Sequence, residues 1–101
     1  MGFECLNLEK ITGFEWDEGN IVKNEKKHGI KFTFIEEVFF NDPLILLEDI
    51  KHSQNECRCF ALGKTDNEKL LSVVFTIRDN KIRVISARPM SKKERKIYET
   101  A

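Results

Sequence analysis

The sequence predicts an α+β domain: two N-terminal helices packed on a curved antiparallel sheet of about four strands, with a short C-terminal helix. Three observations lead there. Helical capping and apolar spacing fill residues 17–41. Strand-like segments separated by Asp-Asn pairs fill residues 57–88. A Ser-x-x-Glu sequence at 91–94 then opens a further helix.

The elements follow in order. Residues 1–13 are weakly patterned, either an extra N-terminal strand or a loose arm. Asp17 is a good N-cap for a helix running to about His28, and Gly29 supplies a left-handed stop. A second helix is expected to carry a capping box from Thr33 to Glu36, with Ile35, Val38 and Phe39 as its apolar stripe. Asn41-Asp42-Pro43 ends it, because Pro43 has no N–H and pushes Asp42 out of the helical region.

Residues 43–50, 57–64, 69–78 and 81–88 read as strands, with Lys51-His52-Ser53-Gln54-Asn55 as a polar turn. Asp66-Asn67 and Asp79-Asn80 fit two-residue hairpin loops, which tolerate positive φ. With both loops tight, Leu71, Val73, Phe75 and Ile77 share a core face with Ile82, Val84, Phe60 and Leu62. Ser72, Thr76, Arg78, Lys81 and Arg83, with Cys57 and Cys59, then face solvent or a partner. A one-residue slip would reverse these faces. Ser91 and Glu94 form a capping box for a helix through Tyr98.

At 101 residues the chain suits a single domain with a modest core. Apolar residues at 41% and charged residues at 34% exclude a disordered composition. No apolar run approaches the roughly 20 residues of a membrane span, and no secretory leader is evident at the start. Net charge is zero but polarised. Residues 1–50 hold 5 Lys/Arg and 11 Asp/Glu, a balance of −6; residues 51–101 hold 12 and 6, a balance of +6. A basic half can bind a polyanion or an acidic partner, or fold against the acidic half and cancel.

Cys5, Cys57 and Cys59 are read as free thiols of a reducing cytoplasm. Cys57, Cys59, His28 and His52 match no standard zinc spacing, so no metal is expected. No phosphate-binding glycine loop, dinucleotide fingerprint or nucleophile elbow occurs. Eight basic residues, Arg78, Lys81, Arg83, Arg88, Lys92, Lys93, Arg95 and Lys96, crowd the chain's end against Asp79 and Glu94. Arginines on a rigid sheet can fork onto phosphates; the plainer reading is a solvated strand edge and helix. His28 and His52 are possible general bases, or a helix-closing residue and a surface residue.

Phe14-Glu15-Trp16-Asp17, Asn24, Lys27-His28-Gly29 and Phe39-x-x-Asp42-Pro43 resemble the BrnT toxin family. So do Glu56-x-Arg58, Gly63-x-Thr65, Thr76-x-Arg78, residues 83–88 and Glu94-Arg95-x-x-Tyr98. The resemblance spans residues 14–98 and leaves 1–13 as an extension to a domain of residues 14–101. Asn20 stands where the family often has lysine. The resemblance implies a RelE-like fold and a bacterial type II toxin, a cytoplasmic ribonuclease that halts translation. It implies a BrnA antitoxin with a ribbon-helix-helix DNA-binding domain, two toxins pairing with two antitoxins, so that DNA is met only through the antitoxin.

RNA cleavage without metal needs the 2′-hydroxyl in line with the phosphate, a proton acceptor, and cations for the pentavalent phosphate. Because the nucleophile belongs to the substrate, no cofactor is expected. Arg58, Arg78 and Arg88 are the catalytic phosphate candidates, with His28 and neighbouring Lys27 for proton transfer. Arg83, Lys81 and Tyr98 are candidate RNA contacts. The alternatives are a non-catalytic module that grips a DNA-binding antitoxin, and a structural protein with a self-neutralising surface.

Overall fold

A computed structural model describes residues 10–49 and 58–100. Their order is β1 (Gly13–Glu15), α1 (Glu18–His28), α2 (Phe32–Val38), β2 (Ile45–Glu48), β3 (Arg58–Lys64), β4 (Leu70–Arg78), β5 (Lys81–Pro89) and α3 (Lys92–Glu99). Among the described residues the sheet has five strands, in the order β1-β5-β4-β3-β2. This corrects the expectation of about four antiparallel strands, because β1 joins the edge parallel to β5. Ile11 packs against the core and Thr12 donates to Asn80 O at 2.7 Å, so residues 10–13 run on into the sheet.

Helix α1 obeys its sequence signals. Asp17 Oδ1 accepts from Gly19 N and Asn20 N, and Gly29 closes the helix at φ 66°. The helix lies along β5 where β1 stops and protects that bare edge. Asn20 Nδ2 donates to Val84 O (3.1 Å), and Asn24 Oδ1 accepts from Ala87 N (3.3 Å). Asn20 therefore has a structural task, tying α1 to β5.

Helix α2 departs from expectation. Its N-cap is Lys31, with no side-chain cap, and the Thr33–Glu36 capping box does not form. The helix starts two residues earlier, and the Glu36 carboxylate instead accepts from Trp16 Nε1 at 2.8 Å. Ile35 and Val38 are completely buried against the sheet. Gly63 permits this close approach, since a Cβ there would lie 2.6 Å from Val38 Cγ1 and 3.1 Å from Val38 O.

The β4–β5 hairpin turns through Asp79 and Asn80, both at positive φ, as their sequence requires. The β3–β4 connection is longer than predicted. Residues 65–69 form the loop, closed by Thr65 N donating to Lys69 O (2.9 Å), with Glu68 at φ 62°. This shifts the register by one: Arg58 pairs with Thr76, Cys59 with Phe75 and Ala61 with Val73. Cys59 and Ala61 therefore join the core with Leu71, Val73, Phe75, Ile82 and Val84. Phe60 and Leu62 turn to the opposite face, a reversal of the predicted assignment. Cys57 lies outside the described residues.

On that opposite face Leu62 forms a second small core with Met90 and Tyr98, under α3. The capping box at Ser91 and Glu94 forms as expected. The Tyr98 hydroxyl donates to Pro43 O at 2.7 Å, beside the cis Asp42-Pro43 bond. No described helix is long and apolar enough to cross a membrane.

Candidate nucleic-acid interface

Strand alternation places Arg58, Thr76 and Arg83 side by side across β3, β4 and β5, on the face away from α1 and α2. At a strand spacing of about 4.8 Å, Arg58 and Arg83 stand about 10 Å apart at their backbones. Exposed Arg78 and Lys81 extend this row at the hairpin end. Thr76, expected to face solvent, is 3% exposed beneath its long neighbours. Half-exposed Phe60, Val74 and Ser86 continue the face from the arginine row toward α3.

Carboxylates border the row. Glu15 pairs in register with Arg83, and alternation along β1 sends it to the same face, because Phe14 packs on the core. Asp17 Oδ2 lies 4.0 Å from Arg83 Nη2 while its other oxygen caps α1. Sequence reasoning missed Glu15, since a parallel pairing between segments almost seventy residues apart leaves no local signal.

Arg88 is separated from this row. It pairs with Ser72, four residues along β4 from Thr76, or about 13 Å at strand rise. A bulge between Val74 and Phe75 absorbs Ile85 and keeps Arg88 on the same face. Its guanidinium grips Glu94, Nη1 to Oε1 at 2.7 Å and Nη2 to Oε2 at 2.8 Å. Glu94 Oε1 also accepts from Ser91 N (2.8 Å), and Ser72, 1% exposed, donates to Glu94 Oε2 (3.4 Å). The bond to Arg88 holds the Glu94 carboxyl below its usual range, against the opposing effect of burial. Arg88 therefore clamps α3 to the sheet.

Tyr98, a candidate RNA contact from sequence, is 7% exposed, so its ring offers no open face for a base. Burial, and secondarily the Asp42 charge, pushes its hydroxyl pKa up. His28 and Lys27 end α1 on the other side of the sheet, and His28 lines a cavity with Pro89, Lys69 and Arg95. The structure thus gathers Arg58, Arg78, Lys81 and Arg83, and sets His28, Lys27 and Arg88 apart. Helix direction decides this: α1 starts near Arg83 and carries its last turn toward the far end of β5. His52 and Cys57, two of the four possible metal ligands, lie outside the described residues. Cys59 is inert core, its thiol pushed up to about 11 by burial first and then by Glu48 and Asp49.

A mixed sheet backed by α1 and α2 on one face, with an arginine row and α3 on the other, defines a small α+β domain. The profile of a family described as "Ribonuclease toxin, BrnT, of type II toxin-antitoxin system" matches residues 16–94. The chain belongs to this family of ribonuclease toxins, and the family implies an antitoxin partner. Its fold is similar to the crystal structure of the Brucella abortus ribonuclease toxin BrnT, with a TM-score of 0.60 at 23% identity. That likeness covers 79% of this chain and 97% of the Brucella chain. A comparison with curated proteins finds no match.

Proposed function

We propose that this chain is a metal-independent endoribonuclease toxin that cleaves RNA laid across the Arg58–Thr76–Arg83 row. The arginine row on the sheet face away from α1 and α2 is the observation that carries this reading. The 2′-hydroxyl attacks the adjacent phosphorus, the P–O5′ bond breaks, and the leaving 5′-oxygen takes a proton from solvent, giving a 2′,3′-cyclic phosphate and a 5′-hydroxyl. Arg58, Arg78 and Arg83 steady the pentavalent phosphate, and Lys81 holds the flanking backbone. Glu15, in register with Arg83, replaces His28 as the acceptor of the 2′-hydroxyl proton.

The element order supports a RelE-like fold. A BrnA-type ribbon-helix-helix antitoxin neutralises the toxin in the cytoplasm in a complex of two with two, and only the antitoxin meets DNA. The binding-module reading draws on Arg83 and Arg88 each facing a carboxylate.

Induced expression of the chain alone in a bacterial host separates the two. Growth arrest, with RNA cleaved by purified protein in excess chelator, supports the nuclease. Normal growth and intact RNA with soluble protein support the module.

A further inference from the structure

His28, expected at the catalytic centre, lies instead at a cavity of about 430 Å³ at the far end of the sheet. The cavity joins the end of α1, the β3–β4 loop, Pro89 and α3. His28, Gly29, Thr65 and Arg95 meet there from three of the motifs that carry the family resemblance. Such a volume is in the range of a ligand pocket, roughly 300–1,000 Å³.

Its floor is apolar: Ile30 and Leu71 are buried, and Phe34, Leu70 and Pro89 complete it. Its rim is basic. His28, Lys69 and Arg95 line it, against Glu68, which pairs with Lys64 at 3.9 Å.

We propose that this cavity is a docking site for an acidic segment of a protein partner, resting on the reading of the chain as a toxin with an antitoxin. An aliphatic side chain of the segment enters the floor, and carboxylates beside it pair with Lys69 and Arg95. The floor argues against a nucleobase. A base in that floor would set its polar edge mostly against apolar side chains, with the Thr65 hydroxyl, already accepting from Lys69 N at 3.1 Å, as its nearest polar side chain. An aliphatic anchor has no such edge.

The test uses the full chain, isotope-labelled, with acetyl-Glu-Glu-Leu-Leu-Glu-Glu-amide as probe. Saturable amide shifts are expected at Gly29, Ile30, Leu70, Leu71 and Arg95, at peptide concentrations of about 1 mM or below. A Lys69→Glu, Arg95→Glu double variant is expected to weaken binding by about tenfold or more. That variant keeps the arginine row, so its RNA cleavage should match wild type. Absent shifts overturn the proposal, as does equal binding of the lysine counterpart of the peptide. Hexauridylate shifting the same amides would also overturn it and make the cavity an RNA subsite. A wild-type chain that binds the peptide but cleaves no RNA would sink the nuclease reading and leave the docking site standing.

Discussion

Arg88 and Glu94 meet in a two-pronged ion pair at 2.7 and 2.8 Å, and that pair fastens α3 across the sheet. The same carboxylate completes the helix's capping box and accepts from Ser72. An arginine that reads from sequence as a phosphate ligand is thus a clamp between two elements.

Replacing Arg88 should therefore affect stability. Arg88→Ala removes a pair whose side chains are 45% and 20% exposed, so solvent screening limits the loss to about 1 kcal/mol. For a chain of this size that lowers Tm by roughly 4–8 °C. Unchanged Tm by calorimetry would show that the clamp carries no weight.

Arg78→Ala should behave oppositely. The residue is exposed at the hairpin end of the row, so RNA cleavage should fall about tenfold or more, with a smaller loss of Tm than in Arg88→Ala. RNA affinity should also lose about one unit of salt dependence. Full activity in Arg78→Ala and Arg58→Ala alike would remove the arginine row from the chemistry.

Glu15→Gln should retain RNA binding and lose cleavage by about a hundredfold or more. Wild-type cleavage by the variant would rule Glu15 out as proton acceptor.

Stability should weaken in acid partly through Glu94. Its pKa is depressed in the folded state, so its contribution is complete above the ordinary glutamate value and disappears as pH falls through the lowered one. Glu94→Gln should flatten the decline of Tm over that acid window. Identical slopes for the variant and wild type would contradict the linkage.

Gly63→Ala should destabilise by roughly 1–3 kcal/mol, because the new methyl collides with the side chain and carbonyl of Val38. Urea denaturation measures it, and a neutral result would mean that α2 can move away from β3.

The signals legible in the sequence were short-range. Asp17 and Gly29 bounded α1, Asp79 and Asn80 made their turn, and Ser91 with Glu94 capped α3, each through atoms within a few residues of one another. The β3–β4 loop was misread because Asp66-Asn67 resembles a tight turn, while the five-residue loop depends on Thr65, Glu68 and Lys69 bonding together. Strand β3 is apolar on both faces, so alternation alone could not choose between Cys59 and Phe60 as the inward residue.

By itself the sequence determined the three helices, the four later strands and the gathering of basic charge in the second half, since propensity, capping and composition act locally. Tertiary structure alone decided which arginines share a face, which one clamps a helix, and that His28 lies elsewhere. Those outcomes depend on strand register, on the parallel pairing of β1 with β5 and on the direction of α1. Each is set by contacts between residues far apart in the chain, where a shift of one position moves a side chain to the other face of the sheet.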